Sequence, residues 1–111
     1  MSGDDPIVVF LTAPTGEEAT RLAELLIGAH LAACVQILPE MESVYRWQGK
    51  IERQSEILLI AKTTAAKFAE LEREVRALLS YDTPEIVAVP IVAGSTPYLK
   101  WLADSLSPEN S

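Results

Sequence analysis

Several residue types that build common functional sites are scarce in this chain of 111 residues. A single cysteine excludes a disulfide framework and a self-contained zinc module. A single histidine leaves at most one imidazole to activate a serine or cysteine nucleophile. The five glycines form neither a G-x-G-x-x-G fingerprint nor a phosphate-binding P-loop. We therefore expect a protein that is not an enzyme.

Positive charge and long apolar runs are also scarce. Nine basic residues stand against sixteen acidic ones, which gives a net charge of −7 and makes a nucleic-acid partner unexpected. No segment approaches the ~20 apolar residues that a membrane-spanning helix needs, so we expect no membrane partner. Asp4 and Asp5 stand where a signal peptide carries positive charge, and we expect a cytoplasmic protein with a reduced Cys34.

Apolar residues are plentiful. They make up 49% of the sequence, whereas charged residues make up 23%, which is not the composition of a disordered acidic chain. The length suits one domain. We predict a disordered N-terminus over residues 1–6, a single domain over residues 7–106 and a polar tail over residues 107–111.

The pattern of apolar residues predicts alternating strands and helices. Short β-branched runs predict strands over residues 7–11, 32–38 continued by 43–48, 51–62 and 86–92, with a turn at 49–50. Spacings of three and four predict helices beginning at Thr15, where Glu18 completes a capping-box pattern, at Thr63 or Thr64, and at Thr96. This order predicts an α+β, ferredoxin-like β-α-β-β-α-β sandwich. Its additions are a long hairpin between the second and third strands and an extra C-terminal helix.

The predicted strands are apolar on both faces, as residues 7–11, 57–61 and 86–92 show. A sheet covered on one side alternates apolar and polar residues, and two of the three helices already cover one face. Leaving the other face in water would forgo ~10 kcal/mol. We expect copies of the chain to cover it as a homo-oligomer. The alternative is that the last helix folds across the open face of a monomer.

Spaced motifs resemble one known family. They are Ala32-Ala33-Cys34-Val35, the alternating stretch Ser43-x-Tyr45-x-Trp47-x-Gly49-x-Ile51, Tyr81-x-x-Pro84-Glu85 and Tyr98-Leu99-x-Trp101. In this order they resemble the signature of the CutA divalent-cation tolerance proteins over nearly the whole chain. The resemblance implies a ferredoxin-like homotrimer that responds to divalent metal ions, with copper binding in some members and no defined enzymatic reaction.

One departure from the family pattern concerns metal binding. Family members commonly carry His-Pro-Tyr where this chain has Leu79-Ser80-Tyr81, so a metal role that depends on that histidine does not carry over. The implied trimer also resembles the PII signalling proteins, which bind small anionic effectors between subunits. A PII-like effector site is therefore the alternative function.

The candidate metal ligands are Cys34 and Glu85. A thiolate suits Cu(I), and threefold symmetry would bring several copies of Cys34 together. The alternative for Cys34 is a small packed residue at the start of a strand. The Glu85 carboxylate offers oxygen ligands to harder cations. No cofactor is expected to be obligatory, and copper or another divalent cation is the expected metal.

Six residues are predicted to line a cleft between subunits: Tyr45, Trp47, Lys62, Tyr81, Glu85 and Trp101. Aromatic walls with one cation and one carboxylate would orient a small ligand. The alternative is that these aromatic side chains pack in permanent subunit contacts, with Lys62 and Glu85 paired across them.

Overall fold

A computed structural model of the chain describes residues 2–108. Its elements are β1 (Pro6–Ala13), α1 (Gly16–Gly28), β2 (Cys34–Ile37), β3 (Met41–Trp47), β4 (Lys50–Thr64), a 3₁₀ turn (Ala65–Lys67), α2 (Phe68–Leu78), β5 (Ile86–Pro90) and α3 (Thr96–Ser105). The α+β class is confirmed, with five antiparallel strands and three helices. None of the described helices is long and apolar enough to cross a membrane.

The strands are ordered β2-β4-β1-β5, and β3 pairs with β4 outside this path. The second half of β4 pairs with β1 and β2, whereas its first half pairs only with β3, from Met41 opposite Glu56 to Trp47 opposite Lys50. Residues 41–56 therefore form a two-stranded ribbon that leaves the sheet. The radius of gyration is 14.7 Å, against about 13 Å for a compact domain of this length.

The strand beyond the expected four arises at Pro39. Proline has no N–H to donate to a ladder, so β2 ends at Ile37 and pairing with β4 resumes in β3. The turn also lies one residue earlier than predicted. Gln48 and Gly49 have φ angles of +49° and +78°, as in a type I′ turn, and Lys50 is already paired in β4.

The predicted cap, Thr63 or Thr64, precedes the 3₁₀ turn rather than α2, since Thr64 is the N-cap of that turn and makes no side-chain cap hydrogen bond. Both residues belong to β4, because β1 pairs with them at Ile7 and Pro6, and α2 begins only at Phe68 after the 3₁₀ turn. The last strand ends at Pro90 rather than Val92. The last helix begins at Thr96 as predicted, with Ser95 as its N-cap.

The structure describes part of each end of the chain. β1 begins at Pro6, and before it Gly3 and Asp5 accept backbone hydrogen bonds from Ala66 and Ala65, so residues 2–5 are held against the 3₁₀ turn. Of the predicted tail, Ser107 donates to the Asp104 carbonyl, and residues 109–111 lie outside the described residues.

The core lies between the first two helices and one face of the sheet. Alternate residues of β1 and β4, such as Val9 and Leu59, are fully buried there with Leu22 of α1 and Leu71 of α2. This follows from the period of two along a strand and of 3.6 along a helix. The two helices leave the opposite face of the sheet to be covered by other parts of the molecule.

The last helix covers part of that opposite face. α3 contacts β4 and β1, and it buries Leu102 and Leu106 outside the main core. Val87 and Val89, which lie on this face opposite Phe10 and Val8, remain exposed. The last helix therefore covers part of the open sheet face, as the alternative predicted. The rest of that face still exposes apolar side chains in a single chain.

Candidate functional site

An open cavity of about 580 Å³ lies where the ribbon meets the end of β1 and the loop between α2 and β5. The ribbon contributes Ser43, Tyr45 and Trp47, which alternate along β3 and so share one face. The Tyr45 hydroxyl donates a hydrogen bond of 2.9 Å to Oε1 of Gln54, directly across the ribbon from Ser43. This contact fixes one aromatic wall of the cavity.

Residues 79–85, the loop before β5, form the opposite wall. The Tyr81 hydroxyl donates to Oε2 of Glu56 at 2.6 Å, which joins the loop to the ribbon. Burial of the phenol, followed by the hydrogen bond and charge of Glu56, raises the pKa of Tyr81 well above its ordinary value. Tyr81 therefore stays protonated and acts as a hydrogen-bond donor, not as a base.

The loop is held in place by a carboxylate of α1. Glu18 accepts hydrogen bonds from the Ser80 backbone N–H at 3.1 Å and from its hydroxyl at 3.1 and 3.2 Å. The expected cap of α1 is present, since Thr15 Oγ1 accepts from the Glu18 N–H. The Glu18 carboxylate does not return to Thr15 as in a capping box, because it bonds to Ser80 instead.

The lining of the cavity is acidic. Glu56, Asp82 and Glu85 line it, and its lining, which lies within residues 2–108, includes no lysine, arginine or histidine. Thr12, at the end of β1, also lines the cavity and is only 3% exposed. The site thus combines aromatic walls, three carboxylates and a threonine that is almost entirely buried.

The structure brings four of the six predicted cleft residues together: Tyr45, Trp47, Tyr81 and Glu85. Lys62 and Trp101 lie elsewhere, on the face covered by α3. Lys62 Nζ is 3.0 Å from Oε1 of Gln36 and 5.6 Å from the centre of the Tyr98 ring, which lies 5.5 Å from that of Trp101. Lys62 therefore supplies no positive charge to the cavity in this chain.

The two predicted metal ligands lie on different elements. Cys34 is half-buried in β2 opposite Lys62, and Glu85 lines the acidic cavity. Within residues 2–108, no three or more His, Cys, Asp or Glu side chains form a group that could hold a metal ion. One copy of the described chain therefore offers neither residue a ready-made coordination site.

Thr12, Glu56 and Asp82 were not predicted as site residues. The sequence signal for Thr12 is a polar residue at the end of the apolar run of β1, and Asp82 lies in the predicted turn before Pro84. Glu56 occupies the same face of β4 as Gln54, two residues away, which links it to the ribbon face that carries Tyr45.

Solved structures of small α+β proteins share the fold of this chain. "CutA1 from Oryza sativa" aligns with a TM-score of 0.90 and 44% identity, covering 94% of this chain and 95% of that one. The "periplasmic divalent cation tolerance protein CutA" of Archaeoglobus fulgidus aligns with a TM-score of 0.89 and 42% identity, covering 92% and 99%.

Sequence relatives identify the family. The chain is 46% identical over 98 residues to the "divalent-cation tolerance protein CutA" of Thermus thermophilus, covering 88% of this chain and 95% of that protein. It is also 46% identical over 99 residues to "protein CutA, chloroplastic" of Arabidopsis thaliana, covering 89% of this chain but 54% of the plant protein. The model of the CutA1 divalent ion tolerance protein family matches residues 7–105. The chain belongs to this family, which confirms the resemblance found in its motifs.

Proposed function

We propose that this chain acts in the cellular response to divalent metal ions, as a cytoplasmic homotrimer that catalyses no reaction. The observation that carries the proposal is the family match over residues 7–105. The 46% identical relative from Thermus thermophilus, named a divalent-cation tolerance protein, supports the same role.

The exposed apolar surface supports assembly with further copies. A two-stranded ribbon is marginally stable alone in water, and residues 41–56 carry exposed Val44, Trp47 and Ile51, the last 70% exposed. Val87 and Val89 extend the apolar surface along the sheet face that α3 leaves uncovered. Burying such side chains between copies stabilises an assembly by ~25 cal/mol per Å². The three-copy form is the family expectation.

Weak copper binding is part of the proposal, with Cys34 as the soft ligand. Because the described residues of one chain contain no group of three metal-binding side chains, further ligands would come from other copies. Glu85, on the cavity, is the proposed oxygen ligand for harder cations.

The chemistry of the cavity supports the proposed absence of catalysis. The Tyr81 phenol, which donates a hydrogen bond to the Glu56 carboxylate, is held protonated. The cavity lining contains no histidine that could activate the Ser43 hydroxyl as a nucleophile. The acidic lining also opposes an anionic effector, so the PII-like alternative is not favoured.

The metal-response role is tested by deleting the gene and growing the cells in copper, zinc or cadmium salts. We expect the deletion strain to be more sensitive than its parent, with recovery when the wild-type chain is restored. Equal growth of the deletion strain and its parent in all three salts would contradict the role. Fractionation of the same cells tests the cytoplasmic location, since the names of relatives include a chloroplastic and a periplasmic protein.

Direct copper binding is tested separately by anaerobic Cu(I) titration of the wild type and Cys34→Ser. We expect the variant to bind less copper, because serine replaces the only thiol in the sequence. An unchanged stoichiometry would remove Cys34 as a ligand and leave the growth result unaffected.

A further inference from the structure

We draw no further inference here: the strongest candidate, the cavity between the ribbon and the loop of residues 79–85, joins exposed carboxylates to apolar walls already assigned to contact between copies, and nothing in the described residues shows which ligand would occupy it.

Discussion

At the scale of single residues, the end of α1 carries backbone strain. His30 has a φ of +58°, while its N–H bonds the Ile27 carbonyl at 3.1 Å and the Leu31 N–H bonds the Leu26 carbonyl at 2.9 Å. These two bonds are those of a Schellman motif, whose left-handed position usually holds glycine. The helix ends at Gly28, as glycine at this point suggests, but the left-handed residue is His30.

Replacing His30 by glycine is expected to stabilise the fold. The left-handed conformation strains a residue with a Cβ, and relief of this strain exceeds the entropy that glycine adds to the unfolded chain, for a net gain of about 0.5–1 kcal/mol. Ala29→Gly is the control. Because Ala29 has a φ of −91°, this substitution relieves no strain and only adds entropy to the unfolded chain, which lowers stability. Urea unfolding at a fixed protein concentration measures both, and a destabilised His30→Gly would contradict the assignment.

Tyr81 is expected to make stability fall at alkaline pH. Since its pKa is raised in the folded chain, folding favours the neutral phenol. Its contribution is complete below the unfolded pKa of about 10, then declines as pH rises and the unfolded phenol ionises first. The difference in unfolding free energy between wild type and Tyr81→Phe should therefore shrink above about pH 10.

Denaturant unfolding at several pH values between about 8 and 11 measures this difference. Tyr45→Phe is the control, because its hydroxyl bonds the neutral amide of Gln54 rather than a carboxylate. If the wild-type and Tyr81→Phe curves ran parallel across this range, the Tyr81–Glu56 contact would not have the assigned effect.

At the scale of elements, the loop of residues 79–85 depends on a contact with a distant helix. Glu18→Ala removes three hydrogen bonds to Ser80 and is expected to cost about 1–2 kcal/mol. It should also increase amide hydrogen exchange across the loop. Glu17→Ala removes a neighbouring charge at the same helix end but no contact with Ser80, so it should leave exchange unchanged. Equal exchange in the two variants would show that Glu18 does not hold the loop.

The helices and strands also show which structural features local sequence patterns can predict. Helix stripes and strand alternation depend on neighbouring residues, so the positions of α1 and β1 and the shared face of Tyr45 and Trp47 were predictable. The contact of Glu18 with Ser80 spans 62 positions, and no local pattern reports it. Thr63 and Thr64 look like helix caps, but pairing with β1 keeps them in β4.

The candidate site was predictable only in part, because local sequence patterns do not report contacts between distant parts of the chain. Alternation along β3 placed its aromatic residues together, and the turn before Pro84 placed Tyr81 near Glu85. Lys62 was assigned to the same cleft, but its register opposite Cys34 and Val8 places it six residues along β4 from Glu56, beyond the reach of the cavity. Strand register and the path of the last helix are set by tertiary packing, which the local sequence does not specify.

At the scale of the whole molecule, the described chain leaves apolar side chains of the ribbon and of β5 exposed to water, which supports the proposed assembly. The ribbon extends the longest dimension to 45 Å while the other two are 26 and 24 Å. Its exposed apolar residues and those of β5 remain accessible to water with α3 in place. Contact between copies would bury these residues and support the ribbon, which pairs only with itself in one chain.

The central claim, that copies of this chain cover each other's apolar surface, is tested most directly by the native mass of the purified full chain. Light scattering at micromolar concentration should give three times the 12.1 kDa of one chain. Trp47→Glu together with Ile51→Glu, both exposed on the ribbon, should lower that mass while the far-ultraviolet circular dichroism of the fold remains. A wild-type particle of 12.1 kDa that unfolds cooperatively would contradict the account.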